Sequence, residues 1–378
     1  MMKFTISSSL LSQNLQAVAR VISNKNTLPI LDYFLFEIND NSLRVTASDL
    51  ETTLQCTLSI DNQGENGSIA VPAKRLSDSI KEFSEQPLVF EVDTQSWDIT
   101  IVWQSGRLVV PGSSAMGYPE IGAFKSDEVT RLTLAASVLN EGVGNTIFAT
   151  TDDPLRPVMA GINVAFSSEN VTFVATDGHR LVRLQNNSVT VGDPASFILP
   201  HKPAQLLRSV LPKDGSVAVE LAFDAKNIEF VLPNHRLICR RIEGVYPNYN
   251  AVIPTSNDKR ITVDRLLLLG AIKRVSVCSN QASELIQFTI TMSNIKLLAQ
   301  DVDFATSAVD NIACQYMGEE LNIGFKSSFL QDLLSIMTTQ EVVIELADPT
   351  RPGLFMPFVE EQGDQSLLML LMPMTINM

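Results

Sequence analysis

The chain carries Ala47-Ser48-Asp49 and repeats this tripeptide with changes as Ala175-Thr176-Asp177 and Ala299-Gln300-Asp301. The first two copies are in register, because Asp49 and Asp177 are 128 residues apart and Tyr118 and Tyr246 have the same separation. In every copy a lysine follows the aspartate by 25 residues and opens an apolar segment: Lys74, Lys202 and Lys326. A repeat of this length indicates a triplicated domain and not a solenoid.

Each copy predicts an α+β domain with two helices on one face of its sheets. In the first copy, Ser9 is expected to cap a helix whose apolar face consists of Leu11, Leu15, Val18 and Ile22. Pro72 precedes the second helix. Alternating apolar segments separated by turn residues predict strands at Phe4–Ile6, Tyr33–Ile38, Leu43–Thr46, Thr53–Ile60, Leu88–Val92 and Ile99–Trp103. We therefore divide the chain into domains at residues 1–126, 127–256 and 257–378.

Three copies give six helices, and their number limits what one chain could enclose. If the copies are related by rotation, six helices side by side, each about 10 Å across, leave a hole of only about 9 Å. Twelve helices leave a hole of about 28 Å. Two chains could therefore surround a nucleic-acid duplex, whereas one chain could not.

The composition describes an ordinary globular protein, with 45% hydrophobic and 19% charged residues. The formal net charge of −14 argues against a protein that is basic all over and binds nucleic acid indiscriminately. Any basic surface for DNA must therefore be confined to one side of the molecule. The cysteines lie far apart and suggest free thiols in a reducing cytoplasm, and we expect neither a signal peptide nor a membrane span.

No motif for catalysis or metal binding is found. One aspartate per copy, each near a strand end, favours a structural role in a turn. The histidines lack metal-ligand spacing, and neither a Gly-x-Ser-x-Gly motif nor a glycine-rich phosphate loop is present. We expect no catalytic residue, no metal and no cofactor.

Four segments together resemble the family of bacterial β sliding clamps, the processivity subunits of DNA polymerase III. They are Val174-Ala175-Thr176-Asp177-Gly178-His179-Arg180-Leu181, Thr27-Leu28-Pro29-Ile30-Leu31, Tyr246-Pro247-Asn248-Tyr249 and Met372-Pro373-Met374. The resemblance covers the whole chain in order, and the first segment is the most specific.

This resemblance implies an α+β fold of three tandem DNA-clamp domains, each with two helices packed on antiparallel sheets. It implies a homodimer, in which two chains form a head-to-tail ring around double-stranded DNA, and no catalysis. Such a ring would tether the DNA polymerase III catalytic subunit, the clamp loader, and other polymerases and repair proteins that bind through short linear motifs. Base readout would prevent sliding, so we expect sequence-independent, salt-sensitive phosphate contacts.

The resemblance also implies three sets of site residues. Residues expected to face DNA lie on or beside the helices: Arg20, Lys25, Lys74, Arg75, Lys81, Lys202, Arg208, Lys273 and Arg274. The partner-peptide pocket is expected at Met159, Thr176, Gly178, His179, Arg180, Leu181, Pro247, Val252, Leu371, Met372, Pro373 and Met374. The dimer interface is expected at Leu108, Val110, Val277 and Cys278, with the strand that follows Cys278.

The chain departs from the family at several positions, and two other functions stay open. Lys25 and Ala251 stand where arginines are common in the family, and Pro157-Val158 stand where some members have tyrosines. The basic residues could be ordinary solvated helix faces. A ring or arc that binds only proteins is therefore the main alternative, and an enzyme is the third possibility.

Overall fold

The computed structural model describes residues 1–23, 25–119, 124, 128–361 and 363–376, and within them the chain folds as three successive α+β copies. The proposed boundary at residues 126/127 and the terminal Asn377-Met378 lie outside the described residues. Within the described ranges, no helix is long and apolar enough to cross a membrane.

The first copy contains the helices α1 (Ser8–Ala19) and α2 (Ala73–Ile80). Its strands are β1 (Met2–Ser7), β2 (Tyr33–Asn39), β3 (Ser42–Ser48), β4 (Thr52–Ser59), β5 (Asp61–Asn62), β6 (Gly67–Pro72), β7 (Pro87–Val92), β8 (Asp98–Trp103), β9 (Gly106–Pro111) and β10 (Ser113–Ser114).

Helix α1 buries Leu11, Leu15 and Val18 as predicted, but it ends at Ala19, so Ile22 lies beyond it. Its cap is Ser7 and not Ser9. The helix begins at Ser8, directly after β1, so the Ser7 hydroxyl accepts a hydrogen bond from the Leu10 N–H at 3.2 Å. Ser9 therefore lies inside the first turn.

The second copy contains α3 (Ala136–Thr146) and α4 (His201–Val210), and the third contains α5 (Arg265–Ser276) and α6 (Ser327–Ile336). The strands of the second copy are β11 (Thr130–Ala135), β12 (Gly161–Phe166), β13 (Val171–Thr176), β14 (Arg180–Asn186), β15 (Ala195–Pro200), β16 (Ala218–Phe223), β17 (Asn227–Val231) and β18 (His235–Arg240). Those of the third are β19 (Lys259–Asp264), β20 (Leu285–Thr291), β21 (Asn294–Asp301), β22 (Thr306–Ala313), β23 (Gln315–Tyr316), β24 (Leu321–Lys326), β25 (Glu341–Leu346), β26 (Gly353–Pro357) and β27 (Gln365–Leu371).

The chain forms two compact units, and sheets shared by consecutive copies explain why the units do not coincide with the copies. The first unit is Met1–Asn140 with Lys202–Ile242. It contains a sheet in the order β5-β1-β7-β8-β9 and a nine-stranded sheet in the order β10-β6-β2-β3-β4-β18-β17-β16-β11. The pairing of β4 with β18 joins the first copy to the second, with Leu54 opposite Leu237.

The second unit is Glu141–His201 with Glu243–Met378, and it is built in the same way. Its nine-stranded sheet has the order β15-β12-β13-β14-β27-β26-β25-β19-β23, and its four-stranded sheet has the order β22-β21-β20-β24. The pairing of β14 with β27 joins the second copy to the third, with Arg180 opposite Leu371. Strand β13 lies inside the larger sheet, and all its residues are buried.

The third lysine of the repeat is not structurally equivalent to the other two. Lys74 and Lys202 are the second residues of α2 and α4, whereas Lys326 immediately precedes α6, so Ser328 is their counterpart. The hairpin turn between β21 and β22 has two residues more than its counterparts, because Asp301 pairs with Thr306 while Asp49 pairs with Thr52. The spacing of 25 residues is therefore a coincidence in the third copy.

Candidate partner groove, basic helix faces and sheet edges

The turn between β13 and β14 is held by its own side chains. The Asp177 carboxylate accepts hydrogen bonds from the backbone N–H groups of His179 and Arg180, both at 2.9 Å. The Thr176 hydroxyl donates to the Arg180 carbonyl at 2.7 Å. Gly178 has φ +90°, and a Cβ there would lie 2.7 Å from Arg156 Nη1, so glycine suits both the backbone conformation and the close approach.

The buried side chain of Arg180 stabilises this turn. Only 9% of the residue is exposed, and its guanidinium lies 4.4 Å from the centre of the Phe329 ring. Its Nε donates to Asp177 at 3.0 Å, its Nη1 to Asp332 at 2.6 Å and its Nη2 to the Phe148 carbonyl at 2.7 Å. These hydrogen bonds and two carboxylates compensate for the burial of the guanidinium charge. Arg180 therefore positions the turn and does not offer its charge at the surface.

The apolar layer under the turn is a buried cluster of Val174, Leu181, Leu354, Leu368 and Leu370. Tyr246, Tyr249, Ile253 and Met356 pack against this cluster and are partly buried. Burial raises the pKa of the Tyr246 phenol, which keeps it neutral. Val252 and Pro247 are exposed above this layer.

The predicted pocket residues Met372, Pro373 and Met374 follow the last strand, and hydrogen bonds join this segment to a turn and to another strand. Strand β27 ends at Leu371, and the Met372 N–H then donates to the His179 carbonyl at 2.8 Å. The Met374 N–H donates to the Gly324 carbonyl at 2.8 Å, with Pro373 between them, where no ladder hydrogen bond can be donated. Met372 is exposed, while Pro373 and Met374 are half-buried.

All twelve predicted pocket residues lie in the second compact unit, but they have different roles. Leu181, Leu371, Thr176 and Arg180 are buried and shape the groove. The residues with exposed or half-exposed side chains or backbone are Met159, Gly178, His179, Pro247, Val252, Met372, Pro373 and Met374. We call these eight residues the partner groove.

Sequence reasoning missed two residues beside the partner groove. Arg156 donates to the Asp177 carbonyl at 3.2 Å and pairs with Asp153 at 3.2 Å. The Phe329 ring, on α6, stacks against His179 with centroids 6.4 Å apart. Both contacts are distant in sequence, so no local pattern indicates them.

The basic residues differ in whether a carboxylate already pairs with them. Lys81 pairs with Asp78 at 3.1 Å, Arg274 with Asp310 at 2.7 Å, and Lys202 with Asp49 at 2.6 Å. The exposed residues that form no ion pair within the described ranges are Arg20, Lys25, Lys74, Arg75, Arg208 and Lys273.

The predicted dimer-interface residues of the first copy lie on a strand that ends its sheet, whereas the strand predicted for the third copy does not. Strand β9 is the last strand of the five-stranded sheet, with Leu108 half-exposed and Val110 buried. The strand after Cys278 is β20, which pairs on both sides and offers no free backbone. Strand β22 lies at one edge of this four-stranded sheet and β24 at the other, and Val277 lies exposed at the end of α5.

Among the described residues, no group of three or more histidine, cysteine, aspartate or glutamate side chains could hold a metal ion. Burial raises the pKa of the Cys56 thiol to about 12, so this cysteine is a poor nucleophile.

Comparisons with known proteins match the whole chain. Family models of the DNA polymerase III beta subunit match over residues 2–122 (N-terminal domain), 133–248 (central domain) and 250–375 (C-terminal domain). A Beta sliding clamp from Synechocystis sp. is 29% identical over 397 residues, which covers 99% of this chain and 100% of that protein. One from Pseudomonas putida is 28% identical over 378 residues, with coverage of 99% and 100%.

Solved structures agree with the sequence matches. The DnaN sliding clamp from Pseudomonas aeruginosa bound to griselimycin has a TM-score of 0.92 at 25% identity, covering 99% of this chain and 100% of that one. The clamp from Bartonella birtlesii bound to griselimycin has a TM-score of 0.89 at 27% identity, with the same coverage. The chain therefore belongs to the DNA polymerase III beta subunit family, the bacterial beta sliding clamps, and consists of three tandem clamp domains.

Proposed function

We propose that two copies of this chain close head to tail into a ring around duplex DNA. The ring slides on DNA and tethers the DNA polymerase III catalytic subunit, which confers processivity without chemistry of its own. The observation that carries this proposal is that β9 and β22 end their sheets, whereas their counterparts pair within the chain as β18 with β4 and β27 with β14.

The repeat supplies a register for the ring-closing pair. Two-residue turns precede β9 and β18, because Trp103 pairs with Gly106 and Leu232 with His235, so Leu108 corresponds to Leu237. Thr306 likewise corresponds to Thr52 across the turn, which makes Ala308 the counterpart of Leu54. Since Leu237 lies opposite Leu54, we place Leu108 of one copy opposite Ala308 of the other.

Strand pairing of this kind suits ring closure. Each contact joins two different surfaces, and such heterologous contacts close only if the rotation is complete. Two three-domain chains would supply twelve helices, which leave a hole of about 28 Å. Val277 at the end of α5 and Cys278 after it would add apolar contact beside the pairing strands.

The helices supply contacts to DNA. Five exposed cations that form no ion pair within the described ranges would bind phosphates without reading bases, namely Arg20, Lys25, Arg75, Arg208 and Lys273. Exposed ion pairs such as Lys81–Asp78 are weak, so phosphates can compete for those cations as well. Since bacterial chromosomal DNA lies in the cytoplasm, we propose that the clamp acts there.

The partner groove would take short linear segments of the polymerase catalytic subunit, the clamp loader, and other polymerases and repair proteins in turn. Its floor is apolar, and its rim includes the adaptable methionines Met159, Met372 and Met374. Exposed apolar surface of this kind usually marks a binding site.

The test is retention on DNA after loading by the cognate clamp loader. A topological ring stays on closed circular DNA and slides off the same DNA after linearisation. A dimer retained on neither form would favour a scaffold that binds only proteins, and equal retention on both would contradict sliding.

A further inference from the structure

We infer that Lys74 of one copy binds Asp301 of a second copy, and that this contact completes a carboxylate–cation arrangement that the chain makes twice within itself. The inference rests on the proposed two-chain ring and names the ion pair that closes it.

The first such arrangement joins the first two copies. Lys202 Nζ donates to Asp49 Oδ2 and to the Val21 carbonyl, both at 2.6 Å. The other Asp49 oxygen accepts the backbone N–H groups of Glu51 and Thr52 at 3.1 and 2.7 Å. One cation thus links a hairpin turn to the backbone just beyond α1.

The second arrangement has the same parts with a different cation. Asp177 Oδ1 accepts the backbone N–H groups of its own turn, and Asp177 Oδ2 accepts from Arg180 Nε at 3.0 Å. The Arg180 guanidinium also donates to the Phe148 carbonyl, just beyond α3. The counterpart of Lys202 in the third copy, Ser328, has no charge, which explains why an arginine takes this role.

Among the described residues, the third arrangement has a carboxylate but no cation. Only 4% of Asp301 is exposed, and its Oδ1 accepts the backbone N–H groups of Asp303 and Phe304. Its Oδ2 accepts only an amide hydrogen bond from Asn280 at 3.3 Å. In the part of the chain that the structure describes, no lysine, arginine or histidine forms an ion pair with Asp301. A buried carboxylate without a cation is destabilising, so a cation from a second copy would stabilise Asp301.

Lys74 is the counterpart of Lys202 and is available for this role. It is the second residue of α2, exposed, and without an ion pair in the described ranges. It lines an open cleft of about 1190 Å³ together with Ile22, Tyr33 and Gly112.

The turn that contains Asp301 exposes large apolar side chains that could fill the cleft of a second copy. This turn is two residues longer than its counterparts, and its Val302 and Phe304 are 83% and 75% exposed. In the proposed register Thr306 lies opposite Val110 of the other copy, as Thr52 lies opposite Cys239 beside the Asp49–Lys202 contact. The strand pairing therefore brings the Asp301 turn to the cleft that contains Lys74.

The test is the dimer dissociation constant, measured by subunit exchange with fluorescently labelled full-length protein. Lys74→Met should raise it at least roughly 30-fold, because it leaves a buried carboxylate unpaired. Lys74→Arg should stay near wild type, and Lys213→Met, which removes an exposed cation of the second copy, should have no effect. Asp301→Asn should also raise the dimer dissociation constant. The variant with both Lys74→Met and Asp301→Asn should show an increase smaller than the product of the two single increases.

Two results would overturn the inference in different ways. A wild-type protein that stays monomeric would remove the ring and the ion pair together. If the wild type is a dimer and Lys74→Met has the same dimer dissociation constant, only the ion pair is ruled out. Lys74 would then bind DNA, and Lys74→Met would lower the slope of log K for DNA against log salt by about one. If Asp301→Asn does not fold, the three substitutions of exposed lysines still decide the question.

Discussion

Lys202 Nζ lies 2.6 Å from Asp49 Oδ2, so a lysine expected to face DNA is also part of the junction between the first two copies. Because the Lys202 side chain is 42% exposed and that of Asp49 only 14%, the carboxylate is the group that would suffer from loss of its partner. Lys202→Met should lower the free energy of unfolding by about 1 kcal/mol, a value limited by the exposure of the lysine. Chemical denaturation measures this, with the exposed Lys213→Met as control. Equal stability of the two variants would show that solvent satisfies Asp49.

The second prediction concerns assembly. Leu108→Glu together with Val277→Glu should give monomers, because one negative charge would be buried on β9 and another in the apolar contact beside the pairing of β9 with β22. Sedimentation velocity distinguishes a species of 41.5 kDa from one of twice that mass. Met317→Glu, at another exposed apolar position of the third copy, should remain a dimer. A double variant that still dimerises would rule out this interface.

The third prediction concerns the partner groove. Deletion of residues 372–378 should abolish binding of peptides that offer a glutamine and leucine or phenylalanine anchors. It removes Met372, Pro373 and Met374 but leaves β27 intact, so the dimer and the melting temperature should change little. Fluorescence anisotropy with a labelled peptide measures binding, and Met317→Ala is the matched loss of an exposed methionine. Full affinity in the truncated protein would place the binding site elsewhere.

The fourth prediction concerns DNA. Neutralising Lys25, Arg75, Arg208 and Lys273 should weaken binding to all duplex sequences about equally, and the slope of log K against log salt should fall by about one for each phosphate-binding cation removed. These residues are exposed and form no ion pair within the described ranges, so the fold should be unaffected. Titrations at several salt concentrations on two unrelated sequences provide the measurement. A loss of affinity confined to one sequence would contradict sliding.

The fifth prediction concerns pH. Burial lowers the pKa of His235 below its ordinary value of about 6.5, because the charged imidazole is disfavoured in β18. As the pH falls below about 6.5, the unfolded chain binds a proton at this residue before the folded chain does, so the free energy of unfolding decreases. His235→Gln should show a smaller decrease between pH 7 and pH 5. The difference between the two proteins should be constant above pH 7, and identical slopes in both windows would refute the assignment.

Local patterns predicted the helices better than the edges and contacts. The apolar stripe of α1 was sufficient to predict the helix and its buried face, because Leu11, Leu15 and Val18 follow the helical period. Strand β6 is absent from the predicted strands, since its start at Gly67-Ser68 resembles a turn. The lysine spacing misassigned Lys326, because two extra residues in one turn are invisible to a count of spacings.

The candidate site shows the same division. The Gly178-His179-Arg180-Leu181 segment could be identified from its sequence. Which of its side chains are buried and which are exposed could not. Arg180 is buried only because Asp332, Phe148 and Phe329 surround it, and all three are distant in sequence. Sequence chemistry gives the type of a side chain, whereas burial depends on what packs over it.

The sequence by itself determined the triplication, the α+β character of each copy and the family, since these depend on periodicity and on residues in order along the chain. Tertiary structure decided which cation meets which aspartate and which strands end their sheets. Lys202 pairs with Asp49, while Asp301 has no cation among the residues that the structure describes. The physical reason is that hydrogen bonds and ion pairs act over a few ångströms, and only the folded backbone brings groups 153 residues apart within that range.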